Sequence, residues 1–335
     1  MRALAAVVLL VILIAVAGFL LGRGDSVVDP APRRSVLLVT LDTTRNDAVG
    51  PGTPALDRFC REEATRFAGA RAPVPLTLPA HVTLLSGLLP PRHRVHENLV
   101  PPLPPDRGYA LLQEDFRAAG YATGAFVSCA VVGIDTGLAA GFDTFEAPRF
   151  GDPWSGDQGD VPAPERVAAP LAWLGALPED RPFFCWVHFF DPHAPYVPYE
   201  GDAARPPARP EEGDAALYAG EVRRMDAAVE RLLRAVKPGT VVVVASDHGE
   251  ALGEHGEPTH GVLCHGPTAD VFLAVRGPGM TAGATAAGPR SLADVAPTLR
   301  GWCGLPPRPT DGVPLTATAA DRVVVTESLL CWRTY

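Results

Sequence analysis

Three short apolar runs limit the fold more than any other feature of the 335-residue chain. Ser35–Leu41, Phe183–Phe190 and Thr240–Ala245 lack polar alternation, and each runs into a polar cluster. The clusters are Asp42-Thr-Thr-Arg-Asn-Asp47, Asp191-Pro-His-Ala-Pro-Tyr196 and Ser246-Asp-His-Gly-Glu250. Runs of this kind suit strands buried on both faces, as in a parallel sheet covered by helices. Ala122–Val127, Val271–Val275 and Arg322–Glu327 are predicted as further strands. Helices are predicted over Thr53–Glu63, Ala80–Ser86, Gly108–Ala119, Arg166–Leu174, Leu217–Val236 and Leu292–Trp302. The proline-rich stretches Leu88–Arg107, Ala147–Glu165 and Val197–Asp214 read as irregular loops. The expected fold class is α/β, a mostly parallel central sheet with helices on both faces and an apolar helix at the N-terminus.

In such sheets ligands gather at the carboxyl ends of the strands, where the three polar clusters fall. One aspartate after a strand is commonly a turn residue. Three Asp/His clusters at the same end of one sheet are hard to assign to turns, and mixed Asp and His donors suit zinc or another divalent transition metal. A hydroxyl is expected nearby. Thr77-Leu-Pro-Ala-His-Val-Thr-Leu-Leu-Ser-Gly87 reads as a loop turning into a short helix, with Pro79 at its first position and Gly87 ending it. Thr77 would then sit at a helix N-terminus, which favours anions. The more ordinary role of such a threonine is to cap the helix.

Ala3–Leu21 is a 19-residue run without charge, long enough to span a bilayer. Ala15-Val-Ala17 also offers a signal-peptide cleavage site. The domain reading is therefore an anchor or signal over residues 1–22, a linker over 23–34 and one domain over 35–335, working outside the cytoplasm. The net charge of −9 gives no basic surface for nucleic acid. Of 29 basic residues, Lys237 is the only lysine, so a mechanism needing lysines must use it or do without. The six cysteines, Cys60, Cys129, Cys185, Cys264, Cys303 and Cys331, form no C-x-x-C pair.

These motifs, with Leu41-Asp-Thr-Thr-Arg45, Gly253-Glu-His-Gly256, Thr259-His-Gly261 and Asp294-Val-Ala-Pro-Thr298, resemble the alkaline phosphatase–sulfatase superfamily from about Ser35 onward. The resemblance implies one metal site at Asp42, Asp247 and His248, with Thr77 as fourth ligand and nucleophile. It implies a second metal site, or a substrate site, at Asp191, His193 and His260, and a substrate contact at Asn98. The implied cofactors are two divalent metal ions, zinc first, with manganese or calcium as alternatives. His255 and His265 are spare candidates, more simply read as solvated loop histidines.

The sequence departs from formylglycine sulfatases, which need Cys or Ser where Thr77 stands and Arg where His81 stands. The Thr-x-Pro-x-His-x-Thr-Leu pattern is closer to phosphodiesterases and phosphoethanolamine transferases. The implied activity is metal-dependent hydrolysis of a small anionic phosphate ester through a phospho-threonine. The alternatives are a sulfuric ester hydrolase without formylglycine, or a degenerate, anchored binding protein. Relatives in the superfamily continue beyond the last expected strand into a further small subdomain, so a shortened carboxyl end is expected here.

Overall fold

The computed structural model describes residues 33–149, 160–198, 210–318 and 321–330, and the Ala3–Leu21 segment lies outside them. Eight strands form one sheet: β1 Val36–Leu41, β2 Thr65–Arg71, β3 Ala122–Val127, β4 Thr144–Glu146, β5 Phe183–Phe189, β6 Val241–Ser246, β7 Leu273–Arg276 and β8 Thr285–Ser291. Their order across the sheet is β4-β3-β5-β1-β6-β7-β2-β8. All neighbours pair in parallel except β7, which runs antiparallel to both β6 and β2.

The central strands show why their sequences are apolar throughout. In β1, Val36 and Leu38 face one core, with Trp186 and Val243; Leu37, Val39 and Leu41 face the other, with Val187 and Val244. Every residue of β1 and β6 is buried. One face is covered by the Thr77–Ser86 and Val295–Trp302 helices, the other by the Pro54–Glu62 and Pro210–Ala235 helices. At about 25 cal/mol per Å2, each fully buried Val or Leu contributes roughly 1.5–3 kcal/mol.

Two strands carry no clear apolar signal. In β2, Gly69 lies so close to β8 that a Cβ there would stand 2.6 Å from the Gly288 carbonyl oxygen. The β2–β8 register shifts between Phe67 and Gly69. β8 contains Gly288 and Pro289 and is an edge strand, the place where a missing N–H does least harm.

Arg322–Glu327, expected as a strand, is not one. Val323 and Val325 are 83% and 55% exposed, so their alternation faces solvent instead of a core. The segment runs alongside the Ala72–Pro73 turn, where Thr326 Oγ1 donates to Ala72 O at 2.7 Å and Glu327 N to Pro73 O at 2.9 Å. The helix expected to begin at Leu217 begins at Pro210, so residues 210–214 are helical and not loop. Val271 precedes β7 instead of belonging to it, and the helix expected from Gly108 starts at Leu112. Within the expected irregular stretch Leu88–Arg107, Pro90–His93 forms a single helical turn.

Candidate active site

The helix that follows the Val74–Leu76 loop begins at Thr77, and Leu76 is its N-cap. Pro79 therefore sits in the third position, not the first. That position also lacks an intrahelical acceptor, so the missing N–H again costs nothing. Gly87 ends the helix in the left-handed region at φ 84°, donating its N–H to Thr83 O at 2.8 Å. Asn98 reaches the helix start: its Oδ1 accepts the Leu78 N–H at 2.9 Å, which leaves the amide NH2 for another acceptor.

His81 fixes this helix to the sheet. The Thr77 carbonyl can only accept, so His81 Nδ1 carries a proton and donates to it at 2.7 Å. His81 Nε2 then accepts from the Thr40 hydroxyl at 3.0 Å, and Thr40 accepts from Trp186 Nε1 at 2.9 Å. Both His81 nitrogens are engaged. Burial pushes its pKa well below the usual range, which agrees with a neutral ring.

The same accounting applies to the strand ends. Among the described residues, three groups of donors converge within 4.8 Å: Asp42 with Cys129 and His188; His81 with His188 and Asp247; and Asp42 with Asp247 and His248. The first two are already committed. His188 Nδ1 accepts from the Ser128 N–H at 3.4 Å, so its Nε2–H points at Asp42 Oδ2, 3.2 Å away. Burial drives the Cys129 thiol well above its ordinary pKa, keeping it protonated. His188 is thus an orienting group for Asp42, in the way outer histidines and carboxylates orient metal ligands.

The third group is open. Asp247 Oδ1 accepts from the N–H groups of His248 and Thr43 at 2.7 and 3.3 Å, but its Oδ2 has no hydrogen bond. Asp42 Oδ1 is likewise buried without one. His248 donates Nδ1–H to the Gly249 carbonyl at 2.9 Å, so Nε2 carries its lone pair toward the Thr77 hydroxyl. That nitrogen lies 3.6 Å from Asp42 Oδ1 and 3.5 Å from Asp247 Oδ2. Thr77 Oγ1 stands 3.4 Å from it. Two orphaned carboxylate oxygens, an imidazole lone pair and a hydroxyl therefore face one point. Buried polar atoms without partners are rare and costly, and a dication at that point satisfies all of them. Metal-free, burial raises Asp42 to about 8, and burial with the neighbouring Asp42 charge raises Asp247 well above 3.8.

His193 and His260 extend the site. Their rings meet edge to face at 5.1 Å, and the His260 ring lies 4.4 Å from that of His248. His193 donates Nδ1–H to Ala194 O at 2.6 Å, leaving Nε2 available. Burial lowers its pKa to about 4. His260 Nδ1 faces Glu250 Oε1 at 3.1 Å, and Glu250 Oε2 accepts from Tyr196 at 3.2 Å. Burial alone would lower the His260 pKa, but Glu250, Asp42 and Asp247 together raise it. Asp191 is held otherwise: its Oδ2 accepts the Ala163 N–H at 2.8 Å, and no converging donor group among the described residues includes it.

The sequence reading missed His188 and Glu250. His188 had one available signal, a lone imidazole in an apolar strand whose register partner in β1 is Thr40, two residues before Asp42. Glu250 follows Asp247 by three residues inside a motif already singled out. Lys237 is exposed and paired with Glu179 at 2.6 Å.

The fold and donor set define a hydrolase of the alkaline phosphatase–sulfatase superfamily, whose members use divalent metal ions. The profile described as Sulfatase matches residues 34–305, so the chain belongs to the sulfatase family and is an ester-bond hydrolase. Among solved structures it is similar to the phosphonate monoester hydrolase of Agrobacterium radiobacter, with 21% identity, 84% of this chain and 76% of that one covered, and a TM-score of 0.68. The phosphonate monoester hydrolase of Silicibacter pomeroyi matches at 20% identity, 87% and 78% coverage and a TM-score of 0.67. A 2-O GAG sulfatase matches at 20%, 84% and 73%, with a TM-score of 0.67. A search of the curated proteins finds no match.

Proposed function

We propose that the protein hydrolyses phosphate esters with Thr77 as nucleophile. One observation carries the reading: the Thr77 hydroxyl faces His248 Nε2 at 3.4 Å, beside the unpartnered oxygens of Asp42 and Asp247. A dication held by these residues, zinc by the chemistry of the donors, would supply the positive charge that makes a hydroxyl acidic at neutral pH. His188 holds Asp42 in place, and the Trp186–Thr40–His81 chain holds the Thr77 backbone.

Thr77 Oγ1 attacks phosphorus, forming a Thr–O–P bond as the bond to the leaving oxygen breaks. The leaving oxygen takes up a proton. Water then attacks phosphorus and the Thr–O–P bond breaks, releasing phosphate from a monoester substrate or a phosphate monoester from a diester and restoring the hydroxyl. The Asn98 amide NH2 donates to a non-bridging oxygen, close to the positive end of the Thr77–Ser86 helix. His193 and His260 present free ring nitrogens on the adjoining side, where a second metal or the substrate anion fits. Asp191 belongs to this second position in the proposal: its Oδ2 accepts the Ala163 N–H, as Asp247 Oδ1 accepts two backbone N–H groups. Catalysis outside the cytoplasm, with the Ala3–Leu21 segment as anchor or signal, belongs to the same proposal.

Membership of the sulfatase family supports a second reading, a sulfate ester as substrate. Threonine in place of Cys or Ser, and the remoteness of the one lysine, favour phosphate. The test is turnover of bis(4-nitrophenyl) phosphate, 4-nitrophenyl phosphate and 4-nitrophenyl sulfate by wild type and Thr77→Ala. Loss of phosphodiester turnover in the variant is expected, and unchanged turnover removes Thr77 as nucleophile. Faster turnover of the sulfate would move the assignment to sulfate esters.

A further inference from the structure

The loop between β6 and β7 contains a cluster that the hydrolytic site does not use. Glu257 is 5% exposed. Its Oε1 accepts the Val262 and Leu263 N–H groups at 2.9 and 3.1 Å. Its Oε2 is buried and has no hydrogen bond. Both ring nitrogens of His265 are buried without a hydrogen bond as well. Yet His265 Nε2 lies 2.9 Å from Glu257 Oε2. The two facts agree only if the atoms are close but not aligned for N–H donation. The His255 ring sits beside them, its centroid 4.7 Å from that of His265.

That misalignment fits two ligands of one metal. In tetrahedral zinc, with Zn–N and Zn–O near 2.0–2.1 Å, neighbouring ligand atoms stand about 3.3 Å apart with their lone pairs converging on the ion and not on each other. A carboxylate oxygen and two imidazoles make a zinc-type donor set. The set is more open than the catalytic one, because its donors do not all lie within 4.8 Å of one another. His255 is exposed, and among the described residues the one ring it meets is that of His265, its partner in the set.

We infer that His255, Glu257 and His265 form a zinc site separate from the catalytic centre, with water completing the coordination. The site clips together the loop Gly253–Gly266, which also carries His260.

The experiment counts zinc per chain by elemental analysis in full-length protein loaded with zinc and freed of weakly held ion. Wild type is compared with His265→Gln, Glu257→Gln and His255→Gln. Glu257→Gln keeps an oxygen for the Val262 and Leu263 N–H groups, and His255 is too exposed for its replacement to unfold the loop. The expected result is one zinc fewer per chain in each variant than in wild type, with the folded far-UV circular dichroism retained. An unchanged zinc count in His255→Gln and Glu257→Gln overturns the site. The count is independent of turnover, so it stands or falls apart from the Thr77 mechanism.

Discussion

Replacing Asp42 by asparagine should stabilise the metal-stripped protein and destabilise the metal-loaded one. Asp42 is 0% exposed, and its Oδ1 has no hydrogen-bond partner. Burial raises its pKa from 3.8 to about 8. A carboxyl raised on folding contributes stability that is complete below pH 3.8 and is lost as pH climbs toward 8. At pH 7 the stripped protein has given up about 4 kcal/mol on this group, taking 1.36 kcal/mol per pKa unit. Asparagine keeps the shape and removes the charge. In EDTA at pH 7, Asp42→Asn should therefore melt about 8 °C above wild type, at roughly 2 °C per kcal/mol for a chain of this size. The gap should narrow toward pH 4.5. With zinc beyond one thousand times the dissociation constant the order should reverse, because the variant has lost a ligand and with it the stabilisation by mass action, about 4.1 kcal/mol at that level and rising with concentration. Differential scanning fluorimetry across pH 4.5–8.5, with EDTA or zinc, reads both arms. A variant that melts below wild type in EDTA at pH 7 would show that the two carboxylates are not a charge held in wait for a cation.

Three further outcomes follow from the geometry. His188→Gln removes the group that orients Asp42 and should weaken zinc binding 10–100-fold in calorimetric titration while leaving the ligands in place. Asn98→Asp keeps the oxygen that accepts the Leu78 N–H but loses the amide donor, so KM for a phosphodiester should rise while the melting temperature holds; Asn98→Ala should lower both affinity and stability. Asp115→Ala strands Arg300, whose side chain is 3% exposed and donates to Asp115 at 2.9 Å, and also loses the Arg308 contact at 2.7 Å. Breaking a buried pair from one side costs about 3–5 kcal/mol, readable by urea denaturation, whereas Arg308→Ala at its exposed end should cost under about 1 kcal/mol.

Much of the fold was legible because its signal is local. β1, β5 and β6 are buried on both faces, so their composition alone marks them as interior strands of a parallel sheet. Gly87 was readable as a helix end because a left-handed terminus favours glycine wherever it occurs. The errors came where partners decide. β2 and β8 hold together through a close glycine approach and an edge position that neither sequence shows alone. Arg322–Glu327 has a strand's alternation, but it lies outside the ladder, against the Ala72–Pro73 turn.

The same division runs through the site. The sequence by itself set which atoms are available: Thr77 at a helix start, and Asp42, Asp247 and His248 at strand ends, because β-strand and helix termini follow from neighbouring residues. Tertiary structure decided which of those atoms are free. Asp191 Oδ2 holds a backbone N–H, both His81 nitrogens are engaged, and His188 points its proton at Asp42, while one oxygen each of Asp42 and Asp247 is left without a partner beside His248 Nε2, which faces the Thr77 hydroxyl. Hydrogen-bond satisfaction depends on groups far apart in the chain, 204 positions in the case of the Thr43 N–H that Asp247 Oδ1 accepts, so no reading of neighbours along the chain can supply it.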